Sequence, residues 1–307
     1  MDNITHSLVG ALIGQAGLKK KTGLAMPALI IGANLPDVDA ACFFWLDGVE
    51  HLAFRRGITH GPPALVLLPL ILAGLLYGID RWQASRGKRP ESRLPVSFKW
   101  LFLLSFLGCL THPALDWLNV YGIRLLEPIS SRWFYGDVLF IIDIWLWVLM
   151  GFATWFSLRR ERRAGEWKQP ARIALSVALA YIGVNALITA RAEAAVTDSP
   201  TGAEVVIASP PPLWSWQREI ISGGNGLYTI GADTTLPGIP LDRCDLAAAG
   251  EADEQVRAFL IWSRTPLIVP REDGSYWLAD ARYYDPLSRD RFTVKIPELE
   301  CEGLVSG

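Results

Sequence analysis

The chain has 307 residues, enough for one large domain or two ordinary ones, and only 20% of them are charged while 51% are hydrophobic; soluble domains usually carry about 25% charged residues. This excludes a disordered chain, a coiled coil and a disulfide-stapled miniprotein, and a net charge of −2 gives no reason to expect a nucleic-acid partner. The charge is unevenly divided. Residues 1–191 hold 20 Lys and Arg against 13 Asp and Glu, and residues 192–307 hold 9 against 18, so two domains with those boundaries are expected to face different environments.

In chain order, residues 4–18 are apolar and rich in small residues, Lys19, Lys20 and Lys21 follow, and 24–46 is again apolar around an NLPDVD break. A secretory signal carries its positive charge before the apolar run, not after it. A short helical hairpin with a cytoplasmic lysine turn is expected instead, Gly10 and Gly14 offering a small-xxx-small face for close approach. Four further apolar runs, at 62–78, 100–118, 138–158 and 171–190, each have about the 17–25 residues that a tilted transmembrane helix needs. Basic loops between spans stay in the cytoplasm. The 80–99 linker carries Arg81, Arg86, Lys88, Arg89, Arg93 and Lys99, and the 159–168 linker carries Arg159, Arg160, Arg162, Arg163 and Lys168. With both linkers and the lysine turn inside, the N-terminus, the 47–61 and 121–137 loops and everything after residue 190 lie outside. Arg55 and Arg56 count against this arrangement and are outnumbered.

Beyond Arg191 the long apolar runs end. Pro210, Pro211 and Pro212 read as a stiff connector. Short β-rich stretches at 204–208, 213–221, 227–230, 258–263, 276–278 and 292–296 are separated by turn signals such as 222–226 and 272–274. The expected fold is a mainly α, polytopic membrane domain over 1–191, followed by a small, mostly antiparallel β domain outside the membrane. Cys244 and Cys301 both fall in the latter, where an oxidising compartment would permit a bridge. Cys42 and Cys109 lie in apolar context and read as buried thiols.

Three of the four histidines sit in conspicuous settings: His6 in DNITHS, His60 in RRGITHGP, and His112 with Asp116 in GCLTHPALDWLNVYG. His51 reads as a plain loop residue. His112 and Asp116 are spaced i, i+4, so on a helix they share a face with Cβ atoms about 5–6 Å apart, near enough to reach one ion at about 2.0–2.2 Å. A buried His–Asp pair serving stability is the alternative. Pro113 between them means that the helix either kinks or begins there. Asp37 and Asp39, in NLPDVDA, share a face where the chain is extended. A polar break at membrane depth is tolerated only beside protein or a water-filled cavity; a solvated loop is the alternative. Asp143 lies within an apolar run, where ionisable groups mark function, and Asp137 is a rim residue or a solvated one. In the topology above, His6, Asp37, Asp39, His60, His112 and Asp116 all converge at the outer surface. Such a mixture suits a divalent metal, zinc favoured by the imidazoles, with manganese an alternative given the carboxylates. Asp39 or Asp143 would then accept the proton of a metal-activated water.

The ordered motifs Thr5-His6, Asp37-Val38-Asp39, Arg56-Gly57-Ile58-Thr59-His60 and Gly108-Cys109-Leu110-Thr111-His112 to Asp116, then Gly122, resemble a bacterial inner-membrane family of metal-dependent hydrolases, also described as LexA-binding hydrolases. The match covers residues 1–145, and PLWSWQREII followed by LYTI looks like the C-terminal extension of many members. The order His, Asp, His, His-x-x-x-Asp is also similar to the zinc phospholipase C and single-strand nuclease superfamily, which implies phosphoester hydrolysis. Those enzymes use further histidines for a three-metal cluster, and none follows His112 here; the residues support one metal, or two with carboxylate help. The expected protein is a metal-dependent hydrolase of the bacterial inner membrane, with an extracytoplasmic C-terminal domain and a phosphoester or lipid-like small-molecule substrate reached at the outer leaflet. The lipid bilayer is its one expected macromolecular partner; no protein partner is identified. A non-enzymatic metal transporter or assembly factor would use the same carboxylates. A cytoplasmic regulator, as the LexA description suggests, would have only the charged linkers to dock on.

Overall fold

In the computed structural model, which describes residues 1–197, 202–285, 288 and 291–302, Asp2 starts the first helix. Its side chain accepts from the backbone N–H groups of Ile4 and Thr5, both at 3.0 Å, satisfying two donors that a helix start leaves orphaned, and α1 (Asn3–Gln15) follows. The lysines occupy the short 3₁₀ turn Leu18–Lys20 and its end, and α2 (Ala25–Gly32) runs back along α1. Gly10 and Gly14 are where the two helices touch. A Cβ on Gly10 would stand 2.7 Å from the Leu29 carbonyl oxygen, and one on Gly14 would run into the Met26 sulfur.

Next come the 3₁₀ segment Leu35–Phe44, α3 (Glu50–Phe54) and the 3₁₀ turn Ile58–His60. Helix α4 (Pro62–Ser85) opens on two prolines, whose missing N–H groups have no partner to lose in a first turn. Helix α5 (Phe98–Trp117) is already under way when it reaches Pro113, so no helix begins there. Pro113 has no N–H for the Cys109 carbonyl one turn earlier, and the Thr111 hydroxyl donates to the neighbouring Gly108 carbonyl at 2.6 Å. Helices α6 (Ile144–Arg162) and α7 (Lys168–Thr197) complete the helical part.

Among the described residues, three helices, α4, α5 and α7, are long and apolar enough to cross a membrane; α2 with Leu35–Phe44, bent by 53° at their break, makes a fourth if the pair is one span. The 138–158 run does not reach that length. Helix α6 starts only at Ile144, capped by Asp143, and meets Arg159 soon after. Its apolar stretch rises about 22 Å, short of the ~30 Å hydrocarbon layer. Leu67, Ile71 and Leu75 on α4 are each more than half exposed, a face that suits hydrocarbon rather than water.

The described chain divides into two compact units. The first comprises Met1–Asp39, Arg56–Leu187 and Pro210–Gln217. One of its cores joins α2, α4 and α5 through Ala28, Leu29, Leu72, Ala73, Leu101 and Leu104. Another joins α1, α6 and α7 through Leu12, Leu146, Met150, Ala153, Ala171 and Ala174.

The second unit comprises Ala40–Arg55, Ile188–Ser209 and Arg218–Gly307. Strands β1 (Val205–Ser209), β2 (Glu219–Gly224), β3 (Leu227–Ile230) and β4 (Thr234–Thr235) form an antiparallel sheet in sequence order. Its β2–β3 hairpin turns on Asn225 and Gly226, both at positive φ, as a two-residue turn matching strand twist requires. After α8 (Leu246–Ala252) and α9 (Glu254–Trp262), strands β5 (Pro266–Pro270), β6 (Tyr276–Asp280) and β7 (Thr293–Ile296) form a second antiparallel sheet. The 258–263 stretch, expected as β, lies mostly in α9. Asp253 caps that helix, and Val256, Phe259 and Trp262 bury one face at helical spacing. The Gln255 side chain ties α9 to the start of α3 by accepting from Val49 N–H at 2.6 Å, and Cys244 and Cys301 are disulfide-bonded. Cys42 and Cys109 are buried and take no part in that bridge.

Candidate metal centre

The site begins with two glycines. A Cβ on Gly32 would lie 2.7 Å from the Ser105 carbonyl oxygen, and one on Gly108 would lie 2.6 Å from that of Leu29. Only hydrogen at both positions lets α2 and α5 cross this closely. The crossing brings the Ala33 carbonyl to 2.7 Å from His112 Nδ1. A carbonyl only accepts, so His112 carries its proton on Nδ1 and turns the Nε2 lone pair the other way.

On that other side stand Asp37, from Leu35–Phe44, and Asp116, one turn along α5 from His112. His112 Nε2 is 3.5 Å from Asp116 Oδ2 and 3.7 Å from Asp37 Oδ1. His60 Nε2, arriving from the 3₁₀ turn before α4, is 3.7 Å from the same Asp116 Oδ2. One ligand atom from each of Asp37, His60, His112 and Asp116 falls within 4.8 Å of all the others. His60, His112 and Asp116 are fully buried, yet His60 Nε2 and His112 Nε2 make no hydrogen bond, while Asp116 Oδ2 is ion-paired with Arg56 Nε at 3.1 Å. Buried polar atoms without partners are expensive. Ligands of one tetrahedral ion at about 2.0–2.2 Å stand about 3.3–3.6 Å apart, and the observed spacings lie close to that. Two imidazoles and two carboxylates therefore form a buried cluster able to hold a divalent metal ion.

A second layer orients the first. The Thr59 hydroxyl donates to Asp39 Oδ2 at 3.2 Å and lies 2.9 Å from His60 Nδ1, so His60 can donate from Nδ1 into a His60–Thr59–Asp39 relay that leaves Nε2 facing the cluster. Burial pushes the His60 imidazole below its usual pKa despite neighbouring carboxylates, which keeps it in the neutral form that metals require. Arg56 closes the site. Its backbone N–H donates to Asp39 Oδ2 at 2.7 Å, which the left-handed φ of 55° permits. Its guanidinium reaches Asp116 at 3.1 Å, Asn119 Oδ1 at 3.0 Å and the Gly122 carbonyl at 3.2 Å, over the Tyr121 ring. The Met1 amino group also contacts Asp116.

Of the residues expected at a site, Asp37, His60, His112 and Asp116 come together in the cluster. His6 is adjacent: its ring stacks on that of His112 at 3.8 Å, and its Nε2 is 3.4 Å from Asp116 Oδ1. Asp39 stands behind His60, 3.6 Å from Nδ1. Asp143 is held elsewhere, accepting from Leu146 N–H as the cap of α6 and from the Tyr181 hydroxyl at 2.8 Å. Asp137 is buried rather than solvated. His51 lies on α3, its Nδ1 against the Gly48 carbonyl. The sequence reading misses Ala33, Thr59, Arg56 and Asn119 as parts of the site, although two of these stand inside the Arg-Gly-x-Thr-His motif.

The "uncharacterized protein YfhP" of Bacillus subtilis (strain 168) is 24% identical over 285 residues, spanning 86% of this chain and 80% of its own. No solved structure matches. A family model described as YdjM inner membrane protein matches residues 1–192, which include the whole cluster. The chain, with its three candidate spans and buried His/Asp cluster, belongs to the YdjM inner membrane protein family.

Proposed function

We propose that the protein is a membrane-embedded hydrolase that uses a divalent metal, zinc by preference, on a phosphoester or lipid-like substrate. The observation that carries this reading is the pair of buried imidazole nitrogens, His60 Nε2 and His112 Nε2, that face the carboxylates of Asp37 and Asp116 without a hydrogen bond. Two imidazoles favour zinc over magnesium or calcium, and the carboxylates leave manganese as the alternative. An ion held by Asp37, His60, His112 and Asp116 would supply a Lewis acid that polarises a phosphoryl or carbonyl oxygen and acidifies water. Asp37, the most exposed of the four, marks the side from which substrate arrives. Arg56 fixes a positive charge against Asp116, where it favours an anionic substrate. Asp39 steadies His60 and can accept a proton through Thr59. Asp143 has no part in this proposal, because both its oxygens are already held.

The same reading puts the cluster at the extracytoplasmic face of the inner membrane. Lys19 pairs with Glu161, Gly23 N–H donates to the Pro95 carbonyl at 3.0 Å, and Thr22 accepts from Ser97 N–H at 2.8 Å. The lysine turn and both arginine-rich linkers thus share one end of the helices, the end that the positive-inside rule assigns to the cytoplasm. His6 lies at the opposite end of α1, and α7 leaves the basic end at Lys168. An extracytoplasmic C-terminal domain also suits the Cys244–Cys301 bridge. The test is metal analysis of detergent-purified protein, followed by assay of phosphodiester and phospholipid substrates before and after chelation. Metal at about one ion per chain with chelator-sensitive cleavage is expected. Unchanged metal content in a His112→Ala, Asp116→Ala double variant would end the proposal, and stoichiometric metal without cleavage would favour a non-enzymatic transporter or assembly role.

A further inference from the structure

We infer that the groove between α6 and α7 holds an anionic phospholipid from the leaflet that faces the basic loops. The groove encloses about 680 Å³, its walls set by Val148, Leu149, Phe152, Phe156 and Ile173, and Arg160 stands at one end. The two helices run antiparallel: Asp143 meets Tyr181 at one end, and Arg160 and Gln169 line the groove at the other. From Trp145 to Arg160 the helix rises about 22 Å, long enough for the acyl chains of one lipid to lie along it.

Its polarity is graded in the way a lipid's is. The exposed wall is aliphatic and aromatic, with Val148 at 63%, Phe152 at 61% and Ile173 at 55% exposure. Arg160 is the cation in the groove's lining, and at the same end of the helices the fold gathers further cations. Arg172 reaches the Ala16 carbonyl at 3.0 Å, and Lys19, Lys20 and Lys168 all stand over the Trp167 ring. Glu161, paired with Lys19, and Glu166, which accepts from Lys168 N–H, are the acidic groups there, so the cations predominate. A zwitterionic headgroup gains little from such a collar, whereas a phosphate without a compensating amine is attracted by the surplus charge. A second copy of the chain seated here in parallel would bring the same arginines together. This inference does not depend on hydrolysis. Trp147 near the start of α6 bonds Thr5 at 2.9 Å, beside His6, so Arg160 lies at the end of the helix away from the metal cluster.

The experiment is native mass spectrometry of the full chain in detergent with phosphatidylglycerol or phosphatidylcholine of identical acyl chains. Retention of phosphatidylglycerol is expected to exceed that of phosphatidylcholine several-fold. Arg160→Gln, at an exposed position, should bring the ratio close to one, and Ile173→Trp, which fills the groove, should lower retention of both lipids. Arg86→Gln, at the C-cap of α4, should leave the ratio as it is. Equal retention by the unmodified protein, an unchanged ratio in Arg160→Gln, or an equal fall in Arg86→Gln would overturn the inference.

Discussion

Replacing Gly108 with alanine tests the link between helix packing and ligand orientation. The new Cβ would stand 2.6 Å from the Leu29 carbonyl oxygen and 3.0 Å from the Ala33 nitrogen. Carbon–oxygen contacts become comfortable near 3.3 Å, so α5 must retreat from α2 by about 0.7 Å. Both obstructing atoms are helical backbone, and no side chain can rotate to absorb the change. The Ala33 carbonyl, which holds His112 Nδ1 at 2.7 Å, belongs to the wall that α5 leaves. The same retreat stretches this bond to about 3.4 Å, outside hydrogen-bonding range. Overpacking costs about 1–3 kcal/mol, and losing a bond that orients a metal ligand costs about 10–100-fold in affinity. Chelator competition gives the affinity and thermal unfolding the stability, with Gly151→Ala, whose Cβ meets nothing within 4 Å, as control. A Gly108→Ala protein that is less stable but binds zinc as tightly as its parent would refute the reasoning.

Three further outcomes are expected. Asp39→Asn weakens the His60–Thr59–Asp39 relay and should lower zinc affinity by about 10–100-fold in chelator competition, with Thr59→Val acting in the same direction; tight binding in both variants would remove Asp39 from the site. In the C-terminal unit, burial opposes ionisation of Asp280, but the charge and hydrogen bonds of Arg282 prevail and hold its pKa at about 2. A carboxyl depressed below its unfolded value of ~3.9 stabilises the fold above that pH, by about 2–3 kcal/mol, and the contribution fades as pH falls from about 4 towards 2. Tryptophan fluorescence against pH should show this loss in the parent and not in Asp280→Asn. The Cys244–Cys301 bridge links residues 57 positions apart, and its reduction should lower the unfolding free energy of the C-terminal unit by about 2–4 kcal/mol in denaturant titration; an unchanged midpoint would show that the bridge contributes little.

Much of the site is legible in the sequence because its first members follow simple periods. His112 and Asp116 share a face at i, i+4, because α5 runs unbroken through Pro113. Asp37 is legible because a polar break in an apolar run must turn toward protein. The layer behind is not legible for a different reason in each case. The Ala33 carbonyl has no side-chain signature at all, and it becomes a partner only once Gly32 and Gly108 let two helices cross. In the C-terminal unit, 258–263 is rich in residues that favour strands, but burial of Val256, Phe259 and Trp262 follows a helical period, and period outweighs propensity once a cap such as Asp253 is present.

Arg56 shows how a residue can be visible and still be misjudged. In the sequence it is one of two positive charges on a loop that the other basic linkers place outside, and it counts against that orientation. The positive-inside rule concerns charges carried freely in short loops. Arg56 is not one of these: it is 7% exposed, paired with Asp116, hydrogen-bonded to Asn119 and Gly122, and stacked on Tyr121. Its charge is compensated inside the fold before the loop meets any membrane potential. Removed from the count, it leaves Arg55 as the one basic residue of the 47–61 loop, against six in the 80–99 linker and five in 159–168. The same burial that conceals the guanidinium from the topology argument makes it part of the cluster, so the apparent exception in orientation and the missed residue in the site have a single physical cause.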